Sequence, residues 1–247
     1  MLSSVKKNPA IAVALTVTDQ ETLQQIKKVI VGARFSRPVA KGGVTPPLLL
    51  EIRIDRFRCL DEDYVLQKIR SFRKTGLSLI ATIRSRREGG GTSLSDAERI
   101  GLFKKVLPFV KIIDLELGST QLRKVVIPLA IRKRKRVILS YHNFKSTPSD
   151  RALNSLLRKS IRAGADWTKI AVTPKTREDV ARLLLFTQHN RDKNLISIAM
   201  GRLGQTTRIL APLFGSRLTY GFVGRAQAPG QLSAHTLLNE LKLWDKI

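Results

Sequence analysis

The chain has 247 residues, with 45 Lys+Arg against 19 Asp+Glu and a formal net charge of +26. At 43% hydrophobic residues it holds enough apolar side chains for a sizeable core, which excludes a disordered basic tail. Its one cysteine, Cys59, excludes an intrachain disulfide framework and a cysteine-based zinc site. The apolar run 9–17 is far shorter than the ~20 residues needed to cross a bilayer. Lys6 and Lys7 precede it, but no small-residue cleavage pattern follows, so it does not read as a signal peptide. A cytoplasmic, reducing setting is the expectation.

In chain order, eight short apolar runs read as strands: 11–17, 48–54, 78–83, 110–115, 137–141, 167–172, 195–199 and 217–222. Near-continuous apolar strands are what a parallel sheet covered on both faces requires. The segments between them carry helix signals. Asp61-Glu62-Asp63 gives an acidic start, after which Val65, Leu66, Ile69 and Phe72 share one helical face. Ser95 and Glu98 have the spacing of a capping box. Thr147-Pro148-Ser149-Asp150 predicts Thr147 as N-cap with Pro148 at the first helical position. Gly164 follows Ile161-Arg162-Ala163 where a C′ glycine belongs. Segment 35–47, with its Gly and Pro residues, reads as a loop.

Eight βα units in one chain predict a single-domain (β/α)8 TIM barrel spanning residues 1–247. An open dinucleotide-binding sheet would place a Gly-rich loop after the first strand, and Val17-Thr18-Asp19-Gln20 is not one. The run Arg132-Lys133-Arg134-Lys135-Arg136 is five consecutive cations, yet aromatics are only 6% and no known nucleic-acid motif interleaves with the basic residues. Non-specific polyanion affinity is expected from this charge, and specific nucleic-acid recognition is not.

Barrel active sites lie at the C-terminal ends of the strands. The polar residues there are Glu51 and Arg53, then Arg84, Arg86, Arg87 and Glu88, then Asp114 and Glu116. Tyr141, His142 and Asn143 follow the fifth run, Lys169 lies within the sixth, Arg202 and Arg208 follow the seventh, and Gln227 and Gln231 the eighth. No His/Asp/Glu cluster has metal-ligand spacing, so neither a metal nor another cofactor is expected. Lys169 is the most anomalous, because a charge inside an apolar strand is costly unless paired. Two readings of it stand side by side. Desolvation and nearby arginines would lower its pKa and free an amine able to form a Schiff base. Alternatively it is a structural lysine paired to Glu116 or Glu51. His142 is one of three histidines; His189 and His235 fall in helical surface contexts, whereas His142 sits at a strand end beside Lys169, suited to acid/base work.

The chain resembles the type I 3-dehydroquinate dehydratase family along nearly its whole length. The matching stretches are Glu51-Ile52-Arg53-Ile54-Asp55, Arg84 through Glu88-Gly89-Gly90, Ser140-Tyr141-His142, Lys169-Ile170-Ala171, Met200-Gly201 with Arg208, Phe214-Gly215-Ser216 with Thr219-Tyr220-Gly221, and Ala228-Pro229-Gly230-Gln231. The resemblance implies dehydration of 3-dehydroquinate to 3-dehydroshikimate, a step of the shikimate pathway, by a homodimer. It implies Lys169 as the Schiff-base lysine, His142 as proton shuttle and Glu88 as the carboxylate that orients His142. Glu51, Arg53 and Arg84 match residues that hold the substrate's hydroxyls, and Arg208 and Gln231 those that grip its carboxylate. Two positions depart: Gln227, also expected to touch the carboxylate, and Ala14 stand where many relatives carry serine. The rivals are another Schiff-base aldolase on the same barrel and a basic nucleic-acid-associated barrel without this activity.

Overall fold

The computed structural model describes residues 12–35 and 46–242. Most of loop 35–47, Lys6, Lys7 and the start of run 9–17 lie outside the described residues. Strands and helices alternate: β1 (Ala12–Val17), α1 (Leu23–Phe35), β2 (Leu48–Arg53), α2 (Glu62–Arg73), β3 (Ser78–Thr82), α3 (Asp96–Val106), β4 (Ile112–Glu116) and α4 (Thr120–Arg132). Then come β5 (Arg136–Asn143), α5 (Asp150–Arg162), β6 (Trp167–Val172), α6 (Arg177–His189), β7 (Leu195–Ala199), the short α7 (Gly201–Gly204) and α8 (Thr207–Leu210), β8 (Leu218–Phe222), β9 (Leu232–Ser233) and α9 (Ala234–Lys242). Every strand ladder is parallel, in the order β7-β6-β5-β4-β3-β2-β1-β8-β9. The fold is the expected (β/α)8 barrel type.

Period-2 alternation divides each strand between two cores. Val13, Leu15, Leu50, Ile52, Leu79 and Val137 face outward and join the helices in one apolar layer. Ala14, Ile80, Ile112, Ile138, Ile196 and Leu218 face inward and fill the lower barrel. Two residues further along the same inward face come Thr16, Thr82, Asp114 and Ser140, so the interior changes from apolar to polar toward the C-terminal mouth.

The hydrogen-bonded sheet has a seam between β7 and β8. Ser197 N donates to Ser216 Oγ at 3.1 Å and Ala199 N to Thr207 Oγ1 at 3.0 Å, so side chains take amides that a β8 ladder would use. Arg217 N donating to Leu195 O at 2.9 Å ties the two strands at their base.

The helix signals mostly hold. Ser95 and Glu98 form the complete capping box, Asp61 caps α2 with Val65, Ile69 and Phe72 buried, and Gly164 has φ +88°. The N-cap of α5 is corrected: it is Ser149, whose Oγ accepts from Ala152 N, and the helix begins at Asp150. Arg182 donates to Pro148 O at 2.6 Å and Thr147 O at 3.4 Å, which holds those two residues ahead of the helix. The fifth strand also runs further than the expected 137–141, because His142 and Asn143 pair with Ala171 and Val172. Finally, β9 adds a short parallel strand beside Gly221, where the missing side chain lets Ala234 approach.

Candidate active site

Strand alternation explains why so many charges meet at the mouth. Glu51 and Arg53 on β2, Asp114 on β4, Ser140 and His142 on β5, and Lys169 on β6 follow the inward periodicity, and Arg84 continues it beyond the end of β3. The pocket there is lined by Glu51, Arg53, Arg84, Glu88, His142, Lys169, Arg208, Gln227 and Gln231, all nine residues expected from the sequence. Arg86, Arg87 and Arg202 are exposed and do not line it. His189 and His235 are exposed on α6 and α9.

Lys169 is only 5% exposed. Its Nζ lies 3.1 Å from Asp114 Oδ2, 3.6 Å from Glu51 Oε1 and 4.1 Å from the centroid of the Tyr220 ring. Of the two carboxylates weighed as structural partners, Glu51 is in range. Glu116 instead pairs with Arg99 at 3.2 Å and accepts from Ser85 N and Ser119 Oγ. Burial pushes the Tyr220 phenol well above its ordinary range, reinforced by Glu51 and Asp114.

Asp114 is the buried hub. Burial alone would raise its pKa, but Arg84 at 3.0 Å and Lys169 hold it below the usual carboxylate value, helped by a 2.6 Å hydrogen bond from Ser140 Oγ. Glu51 accepts from Thr16 Oγ1 at 2.9 Å and Thr82 Oγ1 at 3.0 Å. Arg53 forks onto Asp55 at 2.9 and 2.8 Å, and Gly91 N also donates to Asp55. This binds the loop carrying Glu88 to β2. A Cβ on Gly90 would collide with the Arg84 carbonyl, so the loop folds this tightly only with glycine there. Behind it, Arg99 of α3 donates Nε and Nη2 to Ile83 O at 3.0 and 2.8 Å, fixing the backbone next to Arg84.

His142 Nδ1 lies 2.8 Å from Glu88 Oε2, and Phe144 stacks beside the imidazole at 6.5 Å between centroids. Burial, with Arg84, Lys169 and Arg53, holds the imidazole pKa well below its usual value, so the ring is neutral near pH 7. Burial raises Glu88 to about 7, against the pull of Arg84. A pair of titratable groups pushed out of their ordinary ranges by their surroundings is a candidate acid/base pair. With Nδ1–H donated to Glu88, Nε2 is the nitrogen open to a reacting group.

Arg208 contrasts with the other arginines. It is 3% exposed, donates Nε to Gly230 O at 2.9 Å and Nη2 to Pro229 O at 3.3 Å, and pairs with no carboxylate among the described residues. Burial lowers its pKa to about 10. A buried guanidinium without a counterion is a receptor for an anionic group. Gly230, at φ +68° and packed on the Gly201 carbonyl, holds this segment against the mouth. Gln231 bridges from Thr16 Oγ1 to the Gln227 amide at 3.1 and 2.9 Å. The Gln227 side chain itself donates to the Arg225 carbonyl at 3.0 Å, so this position contributes through its backbone. Ala14 lies in the apolar lower interior, in register with Tyr220.

Sequence reasoning gave no role to Thr16, Thr82 or Ser140, nor to Asp114 beyond its strand-end position. The signal existed: Thr82 lies two residues before Arg84 and Ser140 two before His142, on the same strand faces. Among the described residues no group of three or more His, Cys, Asp or Glu is arranged to hold a metal ion. No described helix is long and apolar enough to cross a membrane.

A buried lysine, a carboxylate hub, a histidine–carboxylate dyad and an arginine with no carboxylate partner among the described residues meet in one polar pocket at the mouth of a parallel barrel, the arrangement of a barrel enzyme. Residues 44–247 match the family model described as Type I 3-dehydroquinase. The chain is 35% identical over 243 residues to the 3-dehydroquinate dehydratase of Methanococcoides burtonii, covering 98% of this chain and 97% of that protein. It is 40% identical over 168 residues to that of Methanocella arvoryzae, covering 68% and 75%. The crystal structure of 3-dehydroquinate dehydratase from Geobacillus kaustophilus superposes with a TM-score of 0.82 at 29% identity, covering 96% of this chain and 92% of that one. The chain belongs to the type I 3-dehydroquinase family.

Proposed function

We propose that this chain removes water from 3-dehydroquinate to give 3-dehydroshikimate in the shikimate pathway, through a Schiff base on Lys169 with His142 as general acid/base. The observation that carries the reading is the buried Lys169 amine facing the same pocket as the His142–Glu88 dyad. Nζ of Lys169, 3.1 Å from Asp114 Oδ2 and 3.6 Å from Glu51 Oε1, attacks the substrate ketone as the free amine. The C–N bond forms, the ketone oxygen leaves as water carrying one proton from the amine and one from solvent, and the resulting iminium acidifies the adjacent C2–H. Nε2 of His142 takes that proton, and the C2–H electrons become those of an enamine. The enamine expels the C1 hydroxyl, which leaves as water with the proton His142 returns. A second water then hydrolyses the conjugated iminium, restoring the lysine and releasing the enone. One water is lost overall.

Arg208 answers the substrate's carboxylate, with Gln231 beside it. Glu51, Arg53 and Arg84 line the same pocket and answer the ring hydroxyls. The reading takes residues 1–247 as one catalytic domain, working as a cytoplasmic homodimer.

Borohydride reduction in the presence of 3-dehydroquinate tests the assignment. One reduced ligand should attach to the peptide bearing Lys169, and Lys169→Ala should lose both label and turnover. Label retained in that variant, or dehydration at the normal rate without it, refutes the Schiff base.

A further inference from the structure

The five-cation run left unexplained by the reaction lies at the opposite end of the barrel. Three residues of very different sequence position converge there: Arg73 at the end of α2, Lys111 just before β4 and Lys135 just before β5. They line a cavity of about 340 Å³ walled by Leu77, Pro108 and Phe109. The backbone holds the cations in place. Lys111 N donates to Leu79 O, Lys135 N to Ala130 O, and Arg134 takes φ +51° to turn the chain from α4 into β5. Arg70 and Arg73 both lie over the Phe109 ring, at 5.4 and 6.0 Å from its centroid.

Helix C-termini gather at this end of a barrel and attract cations to their carbonyls. That does not account for this group, because the side chains of Arg73, Lys111 and Lys135 make no hydrogen bond or ion pair with any described residue. Asp166, an acid at the same end, is turned to the Val137 amide at 2.7 Å. Lys135 is half-buried, and burial together with Lys111, Lys133 and Arg73 lowers its pKa. Like charges gathered around a concavity, with no internal counterion, are relieved by an anion that enters it.

We propose that this cavity is a second anion-binding site, separate from the reaction centre, for a small molecule bearing one or two phosphate groups. Its dimensions favour a compact ligand over a polymer: the cations ring a pocket at the strand starts instead of forming a stripe that tracks an extended backbone.

The test is calorimetric titration of the full chain with inorganic pyrophosphate at physiological ionic strength. It is done in an Arg208→Ala background so that the reaction centre does not contribute. One pyrophosphate should bind per chain. Lys111→Ala/Lys135→Ala should weaken it roughly tenfold or more, as expected for losing two charge-assisted contacts. The charge-matched control Lys27→Ala/Lys28→Ala, on exposed α1 positions, should change it by less than about twofold because distant charges are screened. If the double variant does not fold, Arg73→Gln at an exposed position serves in its place and should also weaken binding severalfold. Equal losses in variant and control, heats without saturation, or binding seen only when Arg208 is intact would each overturn the site. So would tight capture of duplex DNA that depends on Arg132, Lys133 and Arg134 while pyrophosphate fails to saturate.

Discussion

Replacing Arg208 with methionine, of similar length and no charge, should impair binding while leaving stability nearly unchanged. Its guanidinium is buried with no ion-pair partner among the described residues, and the fall in its pKa to about 10 corresponds to roughly 3 kcal/mol against the charged form. Methionine removes that penalty but also removes charge-assisted donors to Gly230 O and Pro229 O, each worth about 1.5 kcal/mol. The two effects nearly cancel, so Tm should shift by no more than roughly 2–4 °C for a chain of this size. The substrate meanwhile loses a charged bidentate contact worth about 1.5–3 kcal/mol, which raises KM roughly 10- to 150-fold. Ultraviolet absorbance of the conjugated enone product gives KM and kcat, and scanning calorimetry gives Tm. An unchanged KM would refute Arg208 as the carboxylate receptor. A Tm lowered by several degrees would refute the claim that the free protein carries an uncompensated buried charge.

His142→Ala should lower kcat by roughly 10²–10⁴-fold while borohydride still traps substrate on Lys169; near-normal turnover would remove His142 from the mechanism. Because burial raises Glu88 to about 7, below that pH it is protonated and loses the negative charge that orients His142 and stabilises the imidazolium formed during proton transfer, so kcat/KM should fall as pH drops through about 7. Glu88→Gln should abolish that limb of the pH profile, and an identical limb in the variant would assign it elsewhere. The Tyr220 hydroxyl is buried with no hydrogen-bond partner among the described residues, so Tyr220→Phe should raise Tm by about 2–4 °C; a drop in Tm would contradict this.

The sequence by itself determined the number and order of the barrel's eight βα units, because apolar runs and caps are local signals. Strand ends moved by only one or two residues, as at 78–83 against Ser78–Thr82. It also placed Lys169, His142, Glu88 and Arg208 at strand ends, where the barrel topology must gather them. Tertiary structure alone decided the pairings. Nothing in the spacing distinguishes Glu51 from Glu116 as a neighbour of Lys169, since the choice depends on barrel curvature and on Arg99 of α3 drawing Glu116 to the rim. Asp114 became the hub for the same reason: its partners Arg84, Ser140 and Lys169 lie 30, 26 and 55 residues away along the chain. That Arg208 lacks a carboxylate, or that Gln227 turns to the Arg225 carbonyl, is equally invisible in one dimension. Charge pairing is a short-range property of three-dimensional neighbours, and periodicity records only which way each side chain points.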